Sequence, residues 1–147
     1  MSNYIAPYIS RTEYACRCCG KVPYEVCGPL IEMPTFYYVL FESFAWMRED
    51  WGKPINITSG YRCIPHNTAI GGVPMSLHIF GGALDMKFND DEETVKAAKV
   101  VDSSCPDVRM GVYLKGESRL HVDVGYLVMP RMFGEWAHGE RFGDKYD

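Results

Sequence analysis

Residues 83–88 and 120–125 each alternate apolar and polar positions, a pattern typical of half-buried strands. The apolar face of the first consists of Leu84, Met86 and Phe88, and that of the second of Leu120, Val122 and Val124. Because successive side chains of a strand point to opposite faces, the other faces carry Asp85 in the first strand and His121 and Asp123 in the second. If the two strands pair in one sheet, Asp85 and His121 converge on one point.

The spacing of apolar residues also predicts two longer helices, over residues 34–50 and 90–102. Pro34 suits the start of the first helix, where the missing N–H costs nothing. Asp90 is suited to cap the second helix, with Glu93 at the reciprocal position of a capping box. Both helices carry an apolar stripe, which indicates that they pack against the predicted strands.

The other predicted elements are shorter. Residues 55–59 predict a strand that continues into a loop over residues 61–67, and a further strand is predicted between the two alternating ones, over residues 108–114. Residues 1–33 are rich in Pro and Gly, which predicts an irregular arm with one helical turn capped by Ser10. The arm belongs to the same domain as residues 34–147, whose aromatic tail after Leu127 is expected to pack at an edge.

The 147-residue chain is long enough for one domain with a hydrophobic core. Its net charge of -4 gives no reason to expect a nucleic-acid partner. No apolar run reaches the ~20 residues that span a bilayer, so membrane insertion is not expected. The first residues lack the basic and apolar regions of a secretory signal, which predicts synthesis in the cytoplasm.

Six cysteines are many for such a chain. Four of them cluster early, at Cys16, Cys18, Cys19 and Cys27, while Cys63 and Cys105 stand alone. Without a secretory signal, reduced thiols or a metal site are favoured over disulfides. The CxCC spacing departs from the paired CxxC knuckles of zinc ribbons, and adjacent cysteines are poorly placed to ligate one ion. We therefore expect reduced cysteines that pack an N-terminal turn, and no second zinc ion at the early cluster.

A metal site is expected elsewhere, at His78, Asp85 and His121. Two imidazoles and one carboxylate suit a catalytic zinc ion, which takes three protein ligands and keeps a fourth position open. Gly81 and Gly82 follow His78 and allow the backbone to turn tightly beside a metal. A single histidine is usually structural, so the prediction depends on the agreement between the strand faces and the second histidine.

A longer pattern joins these residues, SGYR…HN…GG…S-x-H-x-x-G-x-A-x-D followed by HVDVG. It resembles the M15 family of zinc peptidases, which includes D-Ala-D-Ala carboxypeptidases, and is most similar to the short members found in bacteriophages and prophages. The resemblance extends from about Tyr8 to Gly125 and includes SRTEYACRCCG and GKPINITSGYR. The wider group shares its fold with lysostaphin-type peptidases and the Hedgehog signalling domain. This implies an α+β domain in which a small antiparallel sheet carries the zinc, with helices packed behind it.

The resemblance also assigns roles to individual residues. His78, Asp85 and His121 match the zinc ligands of the family. Arg62 matches an arginine that stabilises the substrate carbonyl as it becomes an oxyanion, and Ser76 matches a residue that contacts the substrate. The structural alternatives are a salt bridge that anchors the loop for Arg62 and a hydrogen bond to a loop backbone group for Ser76.

The general base is the point at which this sequence departs from the family. Many relatives carry an acidic residue three positions before the last ligand histidine, and here that position is Ser118. The candidates are Asp123, on the same strand face as His121, and Glu117, in the preceding loop. We prefer Asp123, whose alternative role is to orient a ligand imidazole.

The implied function is zinc-dependent hydrolysis of peptide bonds in peptidoglycan stem peptides, with a carboxylate as base. The enzyme would either remove a terminal D-Ala or cut within the stem or cross-link. A phage or prophage lysis enzyme of this kind would act on the cell wall after release, and we expect it to be a monomer. The alternative is a catalytically inactive zinc-containing module that binds peptidoglycan or protein, which Ser118 favours.

Overall fold

A computed structural model describes residues 3–25, 34–73 and 76–127 of the chain. Cys27 and the predicted edge packing of the tail after Leu127 lie outside these residues. In chain order the helices and strands are β1 (Tyr4–Ala6), β2 (Ile9–Ser10), α1 (Arg11–Tyr14), α2 (Pro34–Trp51), β3 (Asn56–Ser59), α3 (Ile64–Ala69), β4 (Ala83–Lys87), α4 (Asp91–Ser104), β5 (Arg109–Tyr113) and β6 (Arg119–Asp123).

Strands β3 to β6 form one antiparallel sheet in the order β3-β4-β6-β5. The two alternating segments are therefore direct neighbours, and their register sets Asp85 opposite His121 and Ala83 opposite Asp123. The strand predicted over residues 108–114 is also present, as β5, and it lies at the outer edge of the sheet beside β6. The edge position follows from the short connection between β5 and β6, which pairs them as a hairpin.

The hydrophobic core lies between this sheet and helices α2 and α4, as the apolar stripes predict. Its fully buried side chains include Leu40 and Met47 of α2, Val101 of α4, and Leu84 and Leu120 of the sheet. Each such side chain contributes about 1.5–3 kcal/mol by leaving water. Asp90 caps α4 by accepting a hydrogen bond from the Glu93 N–H at 2.7 Å. The helices therefore cover the apolar face of the sheet, and the opposite face carries the polar residues.

The N-terminal region is more regular than the sequence predicts. Strands β1 and β2 form an antiparallel pair, and Ser10 caps α1 in a capping box with Glu13. Ile9 and Tyr14 are fully buried in the main core, which the turn-forming residues of this region did not indicate. The region is thus built into the domain, and the Tyr61 N–H donates to the Tyr14 carbonyl oxygen at 2.7 Å.

The prediction of a loop over residues 61–67 is correct only for residues 61–63, because α3 begins at Ile64. Pro65 favours a loop when the sequence is considered alone, but proline also fits the first turn of a helix, where its missing N–H leaves no partner unpaired. The helix ends before Gly71, whose φ of +75° turns the chain away. The helices and small antiparallel sheets together form the predicted α+β fold. Within the described part of the chain, no helix is both long and apolar enough to cross a bilayer.

Candidate metal centre

His78 lies on a single 3₁₀ turn between β3 and β4, formed by residues 77–80. Ser76 caps this turn, since its Oγ accepts a hydrogen bond from the His78 N–H at 3.2 Å. Gly81 ends it with a φ of +78°, a conformation that favours glycine, as the sequence predicts. The observed contact of Ser76 is therefore the backbone hydrogen bond, and the contact with substrate stays a prediction.

The orientation of the His78 ring is set by its Nδ1–H, which donates to the Gly60 carbonyl oxygen at 2.6 Å. The opposite nitrogen, Nε2, is buried and has no hydrogen-bond partner, while it lies 3.4 Å from Oδ2 of Asp85. A carbonyl oxygen accepts only, so Nδ1 carries the proton and Nε2 presents a lone pair. A buried lone pair held beside a carboxylate is the arrangement of a metal-ligand histidine.

Asp85 and His121 meet across the sheet, as their register requires. Nδ1 of His121 lies 2.9 Å from Oδ1 of Asp85, and Nε2 of His121 lies 2.7 Å from Oδ2 of Asp123. Since Nε2–H donates to Asp123, the nitrogen that faces the metal centre is Nδ1. The donor atoms are thus Nε2 of His78, the Asp85 carboxylate and Nδ1 of His121.

These residues fit a zinc ion. One ligand atom from each of His78, Asp85 and His121 lies within 4.8 Å of the other two. Two imidazole nitrogens and one carboxylate oxygen form a donor set of a catalytic zinc site. The partnerless nitrogen of His78 is further support, because a buried polar atom is costly unless something pairs with it.

Asp123, the preferred base candidate, is almost fully buried, with 1% of its surface exposed. Its Oδ1 accepts from Arg109 Nε at 2.6 Å and from the Gly125 N–H at 2.9 Å. Its Oδ2 accepts from Arg109 Nη2 at 2.7 Å and from His121 Nε2 at 2.7 Å. Both oxygens are therefore occupied by hydrogen bonds, which favours the alternative role of orienting His121.

Arg109 is a site residue that the sequence analysis did not predict, although its position in the alternation of β5 could have indicated it. It alternates with the apolar residues of β5 and so belongs to the same face as the metal ligands. Arg109 is 3% exposed and lies opposite Asp123 in the register. A buried arginine requires a carboxylate partner, and the paired strands supply one.

Arg62 reaches the metal centre, with Nη2 3.5 Å from Oδ2 of Asp85. It is also anchored in its loop, because Nη1 donates to Asn67 Oδ1 at 2.9 Å and the backbone N–H donates to the His78 carbonyl oxygen at 3.0 Å. Both roles considered for Arg62 are thus compatible with its position. A guanidinium held this firmly loses little entropy when it meets a negative charge.

Arg119 is a second residue that the sequence interpretation missed. It lies two positions before His121 on the same face, with Nη1 3.7 Å from Oδ1 of Asp85 and Nη2 3.6 Å from Oε1 of Glu117. Its guanidinium lies over the Tyr113 ring, 4.1 Å from the centroid. Arg119 directly precedes the alternating segment 120–125 and continues the face that carries His121 and Asp123.

Ser118, at the position that is acidic in many relatives, is turned away from the metal centre. Its hydroxyl donates to Oδ1 of Asp91 at 2.8 Å, and it is 3% exposed. Asp91 also accepts from the Lys115 N–H at 2.8 Å, so the first turn of α4 holds the loop before β6. This leaves Glu117 as the carboxylate on the solvent side of the loop, with 59% of its side chain exposed.

The charges of the site are strongly coupled. Burial alone would raise the pKa of Asp85, but the hydrogen bond from His121 and the charge of that imidazole outweigh it and hold the pKa well below its usual range. Burial likewise would lower the pKa of His121, but its bonds to Asp123 and Asp85 outweigh this effect and raise the pKa to about 9. For His78 burial prevails, and its pKa is lowered. At neutral pH the metal-free site therefore contains a neutral His78 and a charged His121.

Zinc binding should consequently release a proton from His121. Coordination requires the neutral imidazole, so we expect close to one proton per ion at pH 7, falling towards zero above pH 9. Titration calorimetry in buffers with different ionisation enthalpies measures this number. A proton count of zero at pH 7 would show that His121 is not the charged ligand.

The same shift predicts the pH dependence of the metal-free fold. The pKa of His121 is raised above its ordinary value of 6.5, so its stabilisation is complete below pH 6.5 and is lost as pH rises through about 9. The loss amounts to roughly 3 kcal/mol in the free energy of unfolding. Urea titrations of the metal-free protein at several pH values test it, and a His121→Gln variant should show a flatter profile.

The sequence was also compared with known proteins. A family model described as Peptidase M15 matches residues 16–123, which is nearly three quarters of the chain. No individual curated protein matches the sequence. The matched residues contain all three candidate ligands, together with Arg62 and Arg109, and so cover the whole metal centre described above. The chain therefore belongs to the peptidase M15 family.

Proposed function

We propose that this protein is a zinc-dependent peptidase that hydrolyses peptide bonds of peptidoglycan stem peptides, as a D-Ala-D-Ala carboxypeptidase or a murein endopeptidase. The observation that carries the proposal is the buried, partnerless Nε2 of His78, directed at Asp85 opposite His121. Membership of the peptidase M15 family supports the peptide substrate and the metal. When bound, zinc polarises the scissile carbonyl and lowers the pKa of the attacking water.

The residues around the centre then have separate tasks. We assign to Arg62 the stabilisation of the negative charge that develops on the carbonyl oxygen, and the position of its guanidinium beside the ligand Asp85 supports this role. Arg119 offers a second, partly exposed guanidinium, which suits the carboxylate groups of a stem peptide. Asp123 holds the His121 ring in place through Nε2.

The general base in this proposal is Glu117. Its carboxylate lies 3.6 Å from Arg119, which itself lies 3.7 Å from Asp85, and the loop that carries it is fixed by Asp91. Glu117 is exposed and so has the freedom to accept a proton from water and return it to the leaving amine.

Glu117→Gln should reduce turnover by about 10²–10⁴-fold while zinc remains bound, which is the usual contribution of a general base. Glu92→Gln is the matched control, since Glu92 is an exposed glutamate on α4 that pairs only with Lys96 among the contacts described. Turnover and zinc content are measured on the same preparations. Near-wild-type turnover of Glu117→Gln would remove Glu117 from the mechanism.

Mass spectrometry of purified muropeptides after digestion tests the function and identifies the bond. We expect products that have lost a D-Ala residue or are cut within the stem or cross-link, and we expect none in the presence of a chelator. Intact muropeptides with the zinc-loaded enzyme would contradict the proposal. We further propose that the protein serves as a phage or prophage lysis enzyme and acts on the cell wall after release.

One observation favours a second candidate, a zinc-containing module that binds peptidoglycan or protein without cleaving it. Ser118 occupies the position that is acidic in many relatives, and its hydroxyl bonds to Asp91 rather than facing the metal centre. The same digests separate the candidates. Binding of muropeptides without any product would establish the module.

A further inference from the structure

The fold brings three cysteines together at a place made from different residues than the metal centre. The sulfur atoms of Cys16, Cys19 and Cys63 all lie within 4.8 Å of one another, and those of Cys16 and Cys63 are 3.6 Å apart. Cys63 stands alone in the sequence, so the spacing of the early cysteines did not indicate this group. Cys18 is exposed and lies outside it.

We propose that Cys16, Cys19 and Cys63 bind a structural zinc ion that joins the N-terminal turn to the start of α3. Zn–S bonds of ~2.3 Å in a tetrahedral arrangement separate the sulfur atoms by roughly 3.8 Å, which agrees with the spacing of this group. Three thiolates form a soft donor set that selects zinc over magnesium or calcium. The fourth position of the ion is left to water or to a donor outside the three.

The local backbone supports a metal-binding turn. Cys16 and Cys19 have the C-x₂-C spacing of zinc knuckles. This spacing is less evident in the sequence because Cys18 lies between them and gives the pattern CxCC. Gly20 follows directly with a φ of +71°, and its N–H donates to the Cys16 carbonyl oxygen at 2.8 Å. The Cys16 N–H donates in turn to the Lys21 carbonyl oxygen at 2.9 Å. The turn thus places the first and last cysteine of the motif on one side.

A backbone donor also contacts the Cys16 sulfur. The Cys63 N–H donates to it at 3.4 Å. Such a donor stabilises a thiolate, the form in which cysteine binds a metal.

The position of the ion connects it with the peptidase site. Cys63 directly follows Arg62, whose backbone N–H donates to the carbonyl oxygen of the ligand His78 at 3.0 Å. An ion bound to Cys63 would therefore brace the loop that carries Arg62. Its existence does not depend on whether the protein cleaves a peptide.

Metal analysis of purified variants tests the proposal. We expect about two zinc ions per chain in the wild-type protein, and a fall to about one both in Cys19→Ser and in His78→Ala. Cys18→Ser is the matched control and should keep the wild-type content, since its thiol is exposed and lies outside the group. With Co²⁺ in place of zinc, the sulfur-to-metal absorption band should persist in His78→Ala and vanish in Cys19→Ser.

X-ray absorption at the zinc edge of the wild-type protein keeps the test independent of how the variants fold. Sulfur neighbours at ~2.3 Å are expected. A spectrum with nitrogen and oxygen neighbours alone would overturn the proposal. So would a Cys16–Cys63 disulfide in protein purified under reducing conditions. Loss of the metal from His78→Ala alone, with Cys19→Ser unchanged, would also overturn it, while leaving the proposed peptidase function intact.

Discussion

Replacing His78 by alanine should abolish hydrolysis of muropeptides, with a loss of at least ~10³-fold in kcat/KM. The metal contributes several kcal/mol to the transition state, and each ~1.4 kcal/mol corresponds to a factor of ten in rate. His78 supplies one of three protein donors, and the other described histidine of that group, His121, is itself a ligand. The catalytic zinc should be lost together with the activity.

His66→Ala is the control for this experiment. His66 lies in α3, outside the group of donor atoms, and its replacement should leave both zinc content and turnover unchanged. Because His78 is buried and its ring bonds to Gly60, the variant must be shown to be folded, for example by its near-ultraviolet circular dichroism. A folded His78→Ala protein with full activity would exclude the proposed metal centre.

Asp123→Ala should lower the free energy of unfolding by about 3–5 kcal/mol, because it removes the carboxylate that forms an ion pair with the buried guanidinium of Arg109. The guanidinium and the carboxylate are joined by two hydrogen bonds, and both side chains are almost completely buried. Urea unfolding of the metal-free protein measures the change. Asp107→Ala is a suitable control, since Asp107 is an exposed carboxylate just before β5.

Asp123→Asn separates the two roles considered for this residue. If Asp123 orients His121, the amide should weaken zinc binding by about 10–100-fold and reduce activity in proportion. If Asp123 is instead the general base, zinc affinity should stay at the wild-type value while turnover disappears. Measurement of zinc affinity beside turnover therefore decides between Asp123 and Glu117, and the first result is the one we expect.

The pairing of Asp85 with His121 could be predicted from the sequence, because each lies in a strand with a strict alternation of two. Once β4 and β6 pair in the observed register, the two side chains lie opposite each other on the same face. Extending the same alternation by one residue, to the first position of β6, would have added Arg119 to this face. The ion pair between Arg109 and Asp123 could not be predicted from the alternation alone. It requires the knowledge that β5 lies beside β6.

The contribution of the N-terminal region could not be predicted in this way. The contact between Cys16 and Cys63 depends on how α1 packs against β3, and no local spacing encodes it. The helix α3 was not predicted for a different reason. Its six residues, which include a proline, are too few to show the helical spacing of apolar positions. The role of Ser118 likewise depends on Asp91, which a different element supplies.

Anomalous diffraction at the zinc edge from crystals of the protein tests the central claim most directly. A peak is expected among Nε2 of His78, the carboxylate of Asp85 and Nδ1 of His121, at ~2.0–2.2 Å from each donor atom. The absence of a peak at this point in zinc-loaded crystals, or coordination of His121 through Nε2 in place of Nδ1, would contradict the account.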